Sequence, residues 1–391
     1  MSPDETLARV RSLLPAMGIT RIANITGLDC IGIPVVMVCR PNSRSLAVSQ
    51  GKGLDLAAAR ASGVMESIEF YHAERIQHPV KLASFEELRY SHRVADVDAL
   101  PRIRSSRFHR DLPVLWIEGH DLLTDESVWL PFEMLQLNMT LPPPTGVGCF
   151  LGGSNGLASG NHRLEAISHA LCEVVERDAS TLFALLDDEQ QAQRRIDLST
   201  VDDEACRALL QRYERAGVDV AVWDITSDVG IPAFLCHIVE RTEDPLRALY
   251  AAAGMGCHPN RQLALLRALT EAAQERLALI AGTRDDLFRS GYERARSLDL
   301  LRRHRSLLNR PAARNFDSGP HWEAESFDED VRWELERLQA VGIGQVLAVD
   351  LTRSEFDVPV VHIVIPGLEA ASWVTDYAPG RRARAHMEQA A

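Results

Sequence analysis

The chain has 391 residues, 46% apolar and 25% charged, with 24 Gly and 19 Pro, a globular composition that excludes disordered and fibrous classes. Its net charge of −13 argues against a nucleic-acid partner, because phosphate-backbone binding gains affinity by releasing counterions with clustered Lys and Arg. The seven cysteines are scattered with no Cys-x-x-Cys, no basic region precedes an apolar stretch at the amino terminus, and no apolar run approaches the roughly 18 residues of a membrane span, so a reduced, cytoplasmic, non-membrane protein is expected.

The first element is an amphipathic helix over roughly 5–17, closed by Gly18 where a left-handed cap belongs. A strand, Asn24-Ile25-Thr26, a short loop and Ile33-Pro34-Val35 follow, with Pro at a strand start, where its missing N–H does least harm. The turn Gln50-Gly51-Lys52-Gly53 opens a long helix carrying Ser62, Glu66 and Glu69. A weaker hairpin spans Pro113 to Pro131. The Gly-rich segment 152–161 opens a second long helix with Glu165, His169, Glu173, Glu176 and Arg177. A helix over roughly 202–216, Gly217, Asp224-Ile225-Thr226 and Ile231-Pro232-Ala233 repeat the first pattern. The third long helix, after Gly256, carries Arg267, Glu271 and Gln274. Residues 284–327, Arg-rich and polar, read as a helix and an exposed linker. The pattern then recurs once more: a helix over roughly 328–341, Gly342, Asp350-Leu351-Thr352 and Val358-Pro359-Val360.

Hairpins alternating with long helices predict an α+β fold built from pseudo-symmetric β-hairpin and helix units. Glu66/Glu69, Glu173/Glu176 and Glu271/Gln274 are each spaced i, i+3, which puts both side chains on one helical face, able to converge on one ligand. A single Glu-x-x-Glu is usually a solvated face. Three at matched places instead suit hard magnesium ions that also hold phosphate oxygens, and helix N-termini behind Gly-rich turns suit phosphate. The chain has neither a Walker loop nor Gly-x-Gly-x-x-Gly after a strand, no clustered His and Cys for zinc, and no Gly-x-Ser-x-Gly elbow. Asp285-Asp286 reads as an exposed helix cap rather than a metal contact.

At Ser49-Gln50-Gly51-Lys52-Gly53 through Ser62, Glu66 and Glu69, at SGNHRLEAISHALCEVVERD and at RALTEAAQERL, the sequence resembles the YcaO family of ATP-dependent peptide-modifying enzymes. The likeness runs over roughly residues 18–367 of a single domain occupying the whole chain, with 376–391 as a C-terminal tail. It implies an ATP site between acidic helices. The implied ATP contacts are Lys52, Ser62, Asn161, Arg177, Arg267 and Gln274, and the implied Mg2+ ligands are Glu66, Glu69, Glu165, Glu173, Glu176 and Glu271. The implied chemistry is phosphorylation of a peptide amide oxygen, giving a thioamide or an azoline, with no covalent enzyme nucleophile and no catalytic residue nominated. The ending Asp376-Tyr377-Ala378-Pro379-Gly380-Arg381-Arg382 lacks the Pro-x-Pro-x-Pro tail of many azoline formers and looks like members that work with a TfuA partner. A separate leader-peptide-binding protein and a homodimer are expected from the same resemblance. The competing reading is a non-catalytic ATP-binding accessory subunit; retention of so many mutually repelling carboxylates favours an enzyme.

Overall fold

The computed structural model describes residues 1–142, 146–241, 251–374 and 376–390. The chain opens with α1 (Pro3–Val10), β1 (Arg21–Asn24), β2 (Val35–Cys39), β3 (Val48–Lys52), α2 (Leu56–Ala73), β4 (Val80–Ala83), α3 (Phe85–Leu88), β5 (Val114–Asp121) and β6 (Glu126–Pro131). Next come β7 (Leu157–Ser159), α4 (Arg163–Ala184), α5 (Asp188–Gln193), β8 (Ile196–Asp197), α6 (Glu204–Arg215), β9 (Val218–Asp224), β10 (Ala233–Glu240), β11 (Ala252–Cys257) and α7 (Arg261–Ala281). The last are α8 (Arg289–Ala295), α9 (Leu298–Leu308), β12 (Arg314–Asn315), α10 (Phe327–Ala340), β13 (Leu347–Asp350), β14 (Val360–Val364) and α11 (Arg381–Ala390). No described helix is long and apolar enough to cross a membrane.

These elements form two compact units. The first comprises Met1–Ser67, Leu186–Thr226 and Ile231–Glu323; the second comprises Ile68–Leu185, Ser227–Gly230 and Ala324–Ala391. In the first, the antiparallel sheets β1-β2-β3 and β11-β10-β9 both pack against α7. Leu265, Leu269, Phe234, Cys236, Tyr213 and Phe316 meet in one buried cluster, and Leu277 meets Ile25 and Val35 in another. In the second unit the sheet order is β4-β5-β13-β14-β7, with β6 paired to β5, and α4 lies against β7 and β14.

The hairpin motif has one chemical explanation three times over. Proline contributes no N–H, so the donor of the residue after it needs a partner at the mouth of the hairpin. The Thr hydroxyl provides it: Val35, Ala233 and Val360 each donate N–H to Oγ1 of Thr26, Thr226 and Thr352 at 3.1 Å. Each Thr is in turn held by an Asx turn, its N–H donating at 3.0 Å to the side chain of Asn24, Asp224 or Asp350. Gly18, Gly217 and Gly342, expected as left-handed caps, have φ of +73°, +68° and +83°; Gly217 and Gly342 directly follow the C-caps of α6 and α10, whereas Gly18 closes a turn beyond the end of α1.

The segments ahead of the acidic helices, read from the sequence as turns, are strands. β3, β11 and β7 pair with β2, β10 and β14 in one register, Lys52 opposite Val35, Cys257 opposite Ala233 and Ser159 opposite Val360. Three residues past each strand end a polar side chain caps the following helix: Asp55 accepts from Ala58 N, His162 from Leu164 N and Asn260 from Leu263 N. Strand and helix nearly touch at β3 and β11, since a Cβ on Gly51 or Gly256 would stand 2.1 Å from the backbone oxygen of Ala59 or Ala264.

Two expectations change. The first helix ends at Val10 rather than 17, because Pro15 has no N–H to donate to the carbonyl of residue 11 and disfavours helix at Leu14. The stretch 284–327, read as a helix and an exposed linker, carries two helices, α8 and α9, and the strand β12, which pairs parallel to β8, and within its otherwise largely exposed second half Phe316 is fully buried in the core. One aromatic among polar neighbours leaves no periodicity to reveal that burial.

Candidate functional site

The shared register puts the acidic pairs at equal distances along their helices. Counting from the strand-end residues Lys52, Ser159 and Cys257, position 14 is Glu66, Glu173 or Glu271, position 17 is Glu69, Glu176 or Gln274, and position 10 is Ser62, His169 or Arg267. Each helix begins at position 4 of this count, so position 14 lies about three helical turns in, beside the strand that precedes the helix.

In the first unit, Glu66 Oε2 accepts the Gln50 N–H at 2.6 Å, and Glu271 Oε1 accepts the equivalent Met255 N–H at 3.3 Å. The Lys52 ammonium donates to Glu271 Oε2 at 2.5 Å, and the Lys52 N–H donates to Ser62 Oγ at 3.4 Å. β3 and α7 thereby supply one ion pair from residues 219 apart in sequence. Arg267 and Gln274 are half-buried on α7, four residues before and three after Glu271. Arg267 lies close enough to His258 to add to the effect of burial, which lowers that imidazole to about 4.

The motifs passed over two groups here. Burial pushes the Glu275 carboxyl upward, with Glu271 and Asp286 adding to the rise and Arg284 opposing it. Arg284 is held above its ordinary range by its hydrogen bonds to Asp286, at 2.9 and 2.5 Å, with the charges of Glu275 and Glu66 also nearby. Asp285 accepts the Ala47 N–H at 3.0 Å, so Asp285-Asp286 is tied into the unit rather than serving as a free helix cap. Gln50 Nε2 is buried without a hydrogen-bond partner.

In the second unit, Glu69 Oε1 accepts both the N–H (2.8 Å) and the hydroxyl (2.7 Å) of Ser159, the last residue of β7. Asn161 N–H donates to Glu165 Oε2 at 2.7 Å across the first turn of α4. Arg177 forks between Glu173 Oε1 and Glu176 Oε1, each at 3.2 Å, and its guanidinium lies 5.5 Å from the centroid of the Trp373 ring. Here the β7–α4 repeat departs from the other two: the Leu157 N–H, equivalent to those of Gln50 and Met255, donates to Ser154 O.

The structure thus assembles the expected residues as two sets, Lys52, Ser62, Glu66, Arg267, Glu271 and Gln274 in the first unit and Glu69, Asn161, Glu165, Glu173, Glu176 and Arg177 in the second. Among the described residues, no group of three or more His, Cys, Asp or Glu is arranged to hold a metal ion by itself. The donor chemistry nonetheless fits magnesium with a nucleotide. Hard carboxylate oxygens are the ligands Mg2+ takes in ones and twos, with phosphate completing its shell. Lys52 and Arg177 now occupy the positive places beside Glu271 and beside Glu173 and Glu176, and the buried Gln50 amide is a donor still to be satisfied.

The profile of the family described as YcaO cyclodehydratase, ATP- and Mg2+-binding, matches residues 50–369. An uncharacterized protein in the tfuA 3′ region of Rhizobium leguminosarum bv. trifolii is 36% identical over 374 residues, 94% of this chain and 88% of the relative. A YcaO structure from Methanopyrus kandleri bound with AMPPCP and Mg2+ superposes with a TM-score of 0.73 at 24% identity, over 97% of this chain and 96% of that one. A heterocyclase in complex with substrate and cofactor gives a TM-score of 0.79 at 22% identity over 98% of this chain, which spans 54% of the heterocyclase's length. At these identities the two structures establish likeness of fold.

Proposed function

The chain belongs to the YcaO family, and from that premise we propose that it uses ATP and Mg2+ to activate a backbone amide of a ribosomally made peptide or protein, giving a thioamide or an azoline. The observation that carries this reading is the repeated strand-to-helix register, which sets a carboxylate at the same depth in three helices and gives two of them a cationic neighbour, Lys52 or Arg177. Bound magnesium nucleotide supplies the phosphoryl group that converts the amide oxygen into a leaving group.

The chain's own residues bind and orient. Glu66, Glu271, Glu173 and Glu176, with Glu69 and Glu165, are the magnesium ligands of this reading, and each is already fixed by a neighbouring hydrogen bond or ion pair. Where the donor is a backbone N–H, at Glu66, Glu271, Glu69 and Glu165, that fixing lowers the reorganisation needed when charge builds on the transferring phosphoryl group. Lys52, Arg177, Arg267, Ser62, Asn161 and Gln274 present donors to phosphate and nucleotide. Arg177 is suited to bidentate contact, because its planar fork matches two phosphate oxygens.

The likeness to the relative in a tfuA 3′ region favours the thioamide branch acting with a TfuA-like partner. The test is ADP release with magnesium, ATP, a candidate peptide, sulfide and that partner, read beside mass spectrometry of the peptide. Glu66→Ala and Glu173→Ala should each reduce substrate-dependent ADP release by about a hundredfold or more. Unchanged release in both variants would remove these carboxylates from the site. Exchange of one oxygen for sulfur marks a thioamide, and loss of one water marks an azoline.

A further inference from the structure

Beyond the residues of the three motifs, the C-terminal segment is fastened along α4 just past Arg177. Glu369 N–H donates to Asp178 Oδ1 at 2.9 Å, Thr181 Oγ1 donates to Ala370 O at 2.8 Å, and Ser372 N–H donates to Thr181 Oγ1 at 3.0 Å. Farther on, Arg382 returns to Asp178 through Nε at 2.9 Å and Nη2 at 3.1 Å. Tyr377 Oη, Gly380 N and Ala383 N all donate to the Glu369 carboxylate. Asp178, Thr181 and Glu369 are buried, so these bonds form away from competing water. They fix the backbone on both sides of Trp373, yet the Trp373 ring is 57% exposed. What it meets is the Arg177 guanidinium.

Arg177 faces a conflict under the function proposed above. It bridges Glu173 and Glu176, the carboxylates that magnesium would take, and a guanidinium and a metal ion compete for the same oxygens. A displaced Arg177 can stay useful only if its N–H groups remain aimed at phosphate. An aromatic face meets that need: it attracts the cation through its quadrupole and offers no lone pair, so the in-plane donors of a stacked guanidinium stay available. We infer that Trp373 is a positioning residue that holds Arg177 on its ring when Glu173 and Glu176 pass to magnesium, setting the guanidinium for the nucleotide phosphates. This inference rests on the proposed magnesium nucleotide site.

The experiment is calorimetric titration of the full chain with a non-hydrolysable ATP analogue and magnesium, alongside tryptophan fluorescence. Trp373→Ala and Trp373→Leu should each weaken the analogue about fivefold, the worth of one partly desolvated cation–π contact, while Trp373→Phe stays within about twofold of wild type. Leu keeps apolar bulk without a π face, so it decides the question should Ala perturb the fold. Thermal midpoints without nucleotide should be alike in all four proteins, because the ring is exposed. Binding should change the wild-type fluorescence, and that change should be absent in Trp373→Phe. Glu173→Gln separates the two layers: analogue binding equal to wild type overturns the site itself. Binding lost in Glu173→Gln but unchanged in Trp373→Leu leaves the site standing and overturns the role of Trp373.

Discussion

Glu66 and Glu271 take strand N–H groups from Gln50 and Met255, whereas Glu173 takes the side chain of Arg177. A backbone donor cannot leave without opening the strand, but a guanidinium can swing. Of the three helices, α4 is therefore the one where the carboxylate at position 14 is held by a movable cation rather than by a strand N–H. A second consequence at this scale concerns His362, fully buried in β14 with Nε2–H donating to Asn155 O at 3.1 Å and Nδ1 without a partner. Burial lowers this imidazole from 6.5 to about 4. A depressed folded-state value means the neutral form stabilises the fold above pH 6.5, and that contribution is lost as pH falls toward 4. Between about pH 7 and pH 5 the wild type should lose ~2 kcal/mol more than His362→Gln, measured by urea unfolding at the two pH values. Parallel losses in the two proteins would show that His362 does not titrate in this way. Much of the candidate site is legible at the level of residues, because i, i+3 carboxylates and matched offsets survive in a one-dimensional pattern. Arg284 and Glu275 are not, since a charge made significant by burial has no local signature, and Trp373 is not, since it lies 196 residues from Arg177 in the chain.

At the scale of elements, the Asx-x-Thr and Pro pattern is a self-contained hydrogen-bond unit, which is why its hairpins could be placed from the sequence. Removing the Thr hydroxyl strands the N–H of the residue after Pro at the mouth of the hairpin, where no other hydrogen bond to it is found among the described residues. Thr352→Val should cost ~1–2 kcal/mol in chemical unfolding, and Thr226→Val a similar amount, since their geometries agree. A change within a few tenths of a kcal/mol at both positions would show that solvent satisfies the donor equally well. What the sequence hid are the strands β3, β7 and β11. Each is short and contains or adjoins glycine, the composition of a turn, and glycine is required in β3 and β11 because a helix backbone presses against the strand. The fold is therefore legible where chemistry is local and obscure where a residue answers to a partner far along the chain.

Over the whole molecule the chain crosses between its units several times, and the two units differ in what they need from the C-terminal part. Every residue of the first unit lies before Ala324. The second unit draws β4 to β7 and α4 from residues before 185, yet its sheet is completed by β13 and β14 from the last fifth of the sequence. β14 stands between β13 and β7, so it is the partner through which β7 joins the sheet, and β7 is the strand that delivers α4 and presents Ser159 to Glu69. The segment after Ala324 also supplies α10, whose buried Glu334 accepts the Ser168 hydroxyl at 2.7 Å, and the stretch that binds Asp178 and Thr181. A chain ending at Glu323 should accordingly keep slow amide exchange in β9, β10, β11 and α7 while losing protection throughout β5, β7 and α4. Exchange measured by mass spectrometry with peptide-level resolution reads both halves of that expectation in one experiment. Retained protection in α4 would mean that its apolar face finds sufficient cover without β14, and the dependence of the second acidic set on the C-terminal strands would then be disproved.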